Sequence, residues 1–179
     1  MTDTITDAMK GAPVPLFGLA GWSGSGKTTL AEQLITEWTA RGLDVATIKH
    51  AHHEFEADTP GKDSWRHREA GARQVLVSSA IRSAHFVEHK TTEPELAQLL
   101  NRLLPCDLVL IEGFKREAVP KMEFFRVEVG KPHLYTEDNQ IIAVASDSAV
   151  PDCPLPVLDL NDIPTIADFV LQLVGLSSR

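Results

Sequence analysis

Eight consecutive residues near the amino terminus are arranged to hold phosphate. Gly21, Trp22, Ser23, Gly24, Ser25, Gly26, Lys27 and Thr28 fit G-x-x-x-x-G-K-[ST] at every fixed position. Glycines at 21, 24 and 26 let the backbone curl, so that the N–H groups of residues 21 to 29, Thr29 included, converge on phosphate oxygens. Lys27 supplies a positive charge for the β and γ phosphates, and Thr28 a hydroxyl where Mg²⁺ sits between them. A helix beginning near Lys27 aims the positive end of its dipole into the same loop. With ordinary usage of Gly, Lys and Ser/Thr, a chance match in a chain of this length is on the order of one per cent.

Such a loop works with a carboxylate at the end of a neighbouring strand. The run from Asp107 to Gly113 offers two, and Glu112 is favoured because open parallel sheets present ligands at the carboxyl ends of their strands. Lys27 and Glu112 are therefore the catalytic candidates, and Thr28, Glu112 and Asp63 the metal candidates, with Asp58 an alternative to Asp63. His50, His52 and His53 suggest a transition-metal site, but no cysteine lies near them, and solvated or hydrogen-bonded histidines are the plainer account. Asp147, just past a late strand, can accept from the N1–H and amino group of guanine, or it can simply cap a turn. Lys115, Lys121 and Arg126 form a basic group in sequence that can bind a second anion; surface salt bridges are the alternative.

These residues need a scaffold, and apolar periodicity supplies it. Leu16–Ala20 reads as a buried strand, and residues 27–40 as a helix with Gly42 as its stop. Strands follow at 43–48, 74–78, 82–89, 107–111, 123–129, 141–145 and 157–160. Helices are expected at 64–72, after a capping box formed by Thr92 and Glu95, and at 163–174 between Asp162 and Gly175. Alternation of this kind predicts an α/β fold, a largely parallel sheet with helices on both faces. Residues 1–15 read as a flexible tail and residues 16–179 as one nucleotide-binding domain.

Composition narrows the function. The 179 residues are 43% hydrophobic, enough for a substantial core. Seventeen Lys and Arg against twenty-five Asp and Glu leave a net charge of −8, which argues against nucleic acid as a polymer partner and against a polybasic membrane anchor. No apolar run approaches the length of a membrane span. Cys106 and Cys153 match no zinc spacing, as expected of a reduced cytoplasmic protein.

The phosphate loop, Thr47-Ile48-Lys49-His50-Ala51-His52-His53, Pro60-Gly61-Lys62-Asp63-Ser64, Ala70-Gly71-Ala72, Ile111-Glu112-Gly113-Phe114-Lys115 and Pro120-Lys121-Met122-Glu123 together resemble the molybdopterin-guanine dinucleotide biosynthesis protein B (MobB) family. The resemblance runs from about Leu16 to the last helix. It implies the P-loop NTPase fold, GTP binding with weak GTPase activity, and a homodimer with a strand-extended sheet. It also implies an adapter role beside the guanylyltransferase that joins GMP to molybdopterin, with molybdopterin itself a further candidate ligand. Two other readings share the loop: a small-molecule kinase, which needs an arginine-bearing lid not visible here, and a metallochaperone GTPase using the histidine cluster. No Asn-Lys-x-Asp motif and no arginine finger in cis is identifiable, so intrinsic turnover is expected to be slow.

Overall fold

The computed structural model describes residues 14–51, 55–90, 92–114 and 117–177. Residues 1–13, which make up most of the expected tail, together with His52, His53 and Lys115, lie outside the described residues. Two compact units form, one from the segments up to His50 and from Leu96 onward, the other from Ala51 to Glu95.

The first unit is built on six parallel strands. They are β1 (Leu16–Ala20), β2 (Val45–Lys49), β5 (Leu108–Glu112), β6 (Lys121–Phe125), β7 (Ile141–Ser146) and β8 (Val157–Asp159), in the order β2-β5-β1-β6-β7-β8. Alternate side chains serve opposite faces. Phe17, Leu19, Leu108, Leu110, Met122, Phe124, Ala143 and Ala145 pack on one face against α1 (Lys27–Ala40) and α4 (Ile163–Val174). Leu16, Val109 and Ile111 turn to the other face, where Leu96 and Leu100 of the short α3 (Leu96–Leu100) cover them. Helices therefore flank both faces, and β5 is buried along most of its length, as its unbroken aliphatic run requires.

The two long helices are locked to each other as well as to the sheet. Trp38 is fully buried, and its indole N–H donates to the Ala167 carbonyl at 3.4 Å. Arg41, at the end of α1, pairs with Glu37 and with Asp168 of α4. Asp162 caps α4 by accepting from the Thr165 N–H at 3.1 Å and from its hydroxyl at 2.7 Å. Those bonds hold the Asp162 carboxyl below the ordinary aspartate value.

The second unit holds α2 (Asp63–Glu69) and an antiparallel hairpin, β3 (Gln74–Ser78) with β4 (Ser83–Val87). The sequence identifies both strands. Four residues separate them, too few for a parallel crossover, so they pair with each other rather than joining the large sheet. Arg68 organises this unit: Glu56 takes two of its hydrogen bonds, and Asp58, Glu88 and the Phe86 ring surround the rest of the guanidinium.

Several boundaries shift by one to four residues from the sequence reading, and two of the differences have a plain physical cause. The expected capping box does not start α3 at Glu93. Pro94 disfavours helical backbone at the residue before it, and the helix begins at Leu96. Strand β6 begins at Lys121 rather than Glu123 and ends at Phe125, followed by a 3₁₀ turn at Val127–Val129. Lys121 and Glu123 disguise the strand because both polar side chains are buried within it. No helix among the described residues is long and apolar enough to cross a membrane.

Candidate functional site

Strand β1 lies at the centre of the sheet, between β5 and β6, where the connections reverse direction. Crevices at the carboxyl end of such a switch point are the usual ligand sites of open α/β sheets. The glycine-rich loop leaves β1 here. Gly21 has φ +151°, and a side chain on it would begin 2.7 Å from the Phe124 carbonyl oxygen. Gly26, with φ +93°, precedes α1 and leaves its N-terminus without a side-chain cap. Ser25 is 2% exposed, and its hydroxyl has no hydrogen-bond partner among the described residues. The Lys27 amine folds back over the loop to the Trp22 carbonyl, 2.8 Å away. Uncapped helix N–H groups, a buried orphan hydroxyl and a lysine above them form a cradle for an anion.

Glu112 ends β5 opposite Leu19, beside the start of that loop, with Lys49 Nζ 3.4 Å from its Oε2. The ends of β2 and β5 are tied together: His50 N–H donates to the Glu112 carbonyl at 2.8 Å, and the His50 and Phe114 rings lie 5.0 Å apart. A side chain on Gly113 would begin 2.7 Å from His50 Cβ. The Lys-His and Glu-Gly-Phe segments, 60-odd residues apart in sequence, thus meet beside the loop. The Thr28 hydroxyl and the Glu112 carboxyl are hard oxygen donors and fit Mg²⁺. Among the described residues, no group of three or more His, Cys, Asp or Glu side chains gathers to hold a metal.

On the other side of β1, Asp147 follows β7 and accepts from Val127 N–H at 3.4 Å, with Arg126 Nη1 3.5 Å from its second oxygen. Glu123, fully buried in β6, reaches the turn that follows. Its two oxygens accept from Leu134 N–H at 2.9 Å and Tyr135 N–H at 3.1 Å, and His133 Nδ1 lies 3.6 Å away. The Phe125, His133 and Tyr135 rings stack in series, and burial pushes the Tyr135 phenol up. The same turn touches the phosphate loop, because the Trp22 indole N–H donates to Pro132 O at 2.7 Å and Lys131 Nζ sits 5.9 Å over the Trp22 ring.

Comparison with known proteins agrees with this architecture. The family model described as molybdopterin guanine dinucleotide synthesis protein B matches residues 16–147, from the first residue of β1 to Asp147. The chain belongs to this family. A Haemophilus influenzae relative named molybdopterin-guanine dinucleotide biosynthesis adapter protein is 47% identical over 161 residues, covering 88% of each chain. The Escherichia coli protein of the same name is 42% identical over 163 residues, covering 89% of this chain and 93% of its own. A crystal structure titled molybdopterin-guanine biosynthesis protein B superposes with a TM-score of 0.71 at 28% identity, covering 89% of this chain and 99% of that one. Bacillus subtilis MobB gives 0.70 at 27% identity, covering 89% and 98%.

Within this MobB-family chain, the first unit gathers Gly21 to Thr29, Glu112 and Asp147 at the carboxyl ends of its strands. Asp63 belongs to the second unit, as the exposed first residue of α2, 4.0 Å from Arg66. The expected basic group is corrected. Lys121 and Arg126 flank opposite ends of β6, and Lys121 is buried with its amine 3.0 Å from Asp138 Oδ2 and 3.0 Å from the Glu117 carbonyl. Adjacent in sequence, they are held apart by a strand and cannot grip one anion. Glu123 was missed as an organising residue, although a lone acid among Met122, Phe124 and Phe125 is the pattern of a satisfied buried carboxyl.

Glu123→Ala leaves two half-buried N–H groups without their acceptor and should cost about 1–3 kcal/mol. Glu123→Gln, which keeps one acceptor oxygen, should cost less. Denaturant titration measures the loss, and amide exchange should accelerate first at Leu134 and Tyr135. Unchanged protection at both amides would rule out this anchoring.

Proposed function

We propose that this chain is a GTP-binding adapter in molybdenum cofactor assembly, acting beside the guanylyltransferase that attaches GMP to molybdopterin. The observation that carries the nucleotide part is the phosphate loop at the switch point, with uncapped α1 N–H groups and the orphaned Ser25 hydroxyl. The adapter part rests on family membership and on the printed names of the relatives. Two free cysteines and the absence of a long apolar helix among the described residues suit a cytoplasmic protein. Exposed Leu76, Val77 and Ile81 on the β3–β4 hairpin supply apolar surface for a homodimer.

In this reading Lys27 lies along the β and γ phosphates while loop N–H groups receive their oxygens. Thr28 and Glu112 would hold Mg²⁺, which when bound would supply charge neutralisation at those phosphates. Asp147 reads the base by accepting from guanine N1–H and its amino group. Hydrolysis proceeds by positioning and charge stabilisation and stays slow, since no arginine finger in cis is identifiable.

Lys27→Ala should weaken GTP binding about a hundredfold, the worth of a charge-assisted contact to phosphate, as read by calorimetric titration. Wild-type affinity in that variant would refute the site. Asp147→Asn should shift preference from GTP toward XTP, because a carboxamide offers xanthine O2 a donor where the carboxylate offered an acceptor. Equal ratios in variant and wild type would leave Asp147 a turn residue. For the adapter role, the purified guanylyltransferase should be retained by the immobilised chain, and nucleotide and molybdopterin in the eluate should show which ligand it holds. No retention with or without GTP would count against it.

A further inference from the structure

Arg126 follows β6 and takes the same side of the sheet as Phe124, two residues earlier. Three contacts fix its guanidinium. Its carbon lies 5.5 Å from the centroid of the Phe124 ring, and its Nε lies 3.6 Å from the point where a side chain on Gly26 would begin. Its Nη1 lies 3.5 Å from Asp147 Oδ2. One planar cation thus adjoins the phosphate loop, a buried ring of its own strand β6, and the carboxylate past β7.

A surface ion pair needs only Asp147. It needs neither a phenyl ring beneath it nor a bare glycine beside it. The Arg126 side chain is also 33% exposed despite these contacts, so part of it stays open to a ligand. Next to it the Val127 side chain is 63% exposed, an apolar surface beside a polar edge, while its backbone N–H steadies Asp147. Flat, weakly hydrated guanidinium groups stack on nucleobases, and a purine site needs an apolar or π surface with a few fixed acceptors.

We propose that Arg126 is the platform on which the purine of the bound nucleotide stacks, and the clamp that aims Asp147 at the donor edge of that purine. A carboxylate offers about four lone pairs. The Val127 N–H takes one on Oδ1 and Arg126 Nη1 sits 3.5 Å from Oδ2, so both oxygens keep lone pairs for guanine N1–H and the amino group. Adenine presents an acceptor at N1 and leaves Asp147 desolvated and unpaired, and a penalty of that kind gives a large discrimination. The inference deepens the nucleotide reading and rests on it. It turns Arg126 from a ligand for a second anion into a specificity-determining residue for the first.

The test measures dissociation constants of GTP, ATP and inorganic tripolyphosphate, each with Mg²⁺, for the full wild-type chain and for Arg126→Ala, Arg126→Lys and Lys27→Ala. Arg126→Ala should weaken GTP about tenfold or more, the worth of one stacked base, and should lower the GTP-to-ATP preference. Its tripolyphosphate affinity should stay within about twofold of wild type, which also reports an intact loop. Arg126→Lys keeps the ion pair but not the flat platform, and should recover only part of the loss. Parallel losses of GTP and tripolyphosphate would make Arg126 a phosphate ligand and overturn the proposal. Wild-type GTP affinity and preference in Arg126→Ala would reduce it to a surface ion pair. A wild-type chain with no Lys27-dependent affinity for either ligand would overturn the nucleotide reading, and the proposal with it.

Discussion

A backbone oxygen of β6 sits where a side chain at position 21 would begin. With only 2.7 Å between the Phe124 carbonyl and that point, the chain can leave β1 in this direction only as glycine. The constraint sets the start of the phosphate loop against β6, while β5 flanks it on the other side. From that fixed start the loop must turn back into α1 within a few residues, and Gly24 and Gly26 complete the turn with positive φ. Among the described residues no side chain caps the start of α1, so the loop's capacity to receive an anion follows from how tightly β1 and β6 approach.

Strand β6 then does more than line the core. Its odd and even positions face opposite ways, and each face contributes to the same end of the sheet. On one face Phe124 supports Arg126 beside Gly26. On the other, Glu123 seizes the backbone of Leu134 and Tyr135, and the turn it anchors reaches Trp22 through Pro132. A buried carboxyl is tolerated here because backbone donors satisfy it, and it fixes a long excursion between two parallel strands that would otherwise have little to hold it. The phosphate loop is therefore gripped from both faces by consecutive residues of one strand.

How much of this could be read from the chain depended on whether a pattern was local. Strand β1, helix α4 with Asp162 and Gly175, and the loop from Gly21 to Thr28 were legible because periodicity, caps and glycine spacing act within about a dozen residues. The hairpin was legible as two strands but not as a separate sheet, since pairing partners are a matter of connection length. Lys121 and Glu123 misled for another reason. Polar side chains in a buried strand look like surface residues until their partners, Asp138 for one and two backbone amides for the other, are seen to come from segments 11 to 17 residues away. Arg126 and Asp147 met only because β6 and β7 are neighbours, a fact of topology that no window along the sequence contains.

Net charge poses a last physical question, because an acidic chain of −8 offers an unpromising environment for a polyanion. The arrangement at the carboxyl ends of the strands answers it locally. Glu112 has Lys49 beside it, Asp147 has Arg126, and Glu123 is met by two N–H groups, so each acid near the loop is matched where it stands. Fields from matched pairs fall off much faster than fields from single charges, and solvent ions screen what remains beyond about 10 Å. What the crevice feels at short range is Lys27 and the amino-terminal end of α1, both positive, with no acidic residue in the first turn of that helix. A net acidity of the whole chain opposes long nucleic acids without setting the field in a site only a few ångströms across.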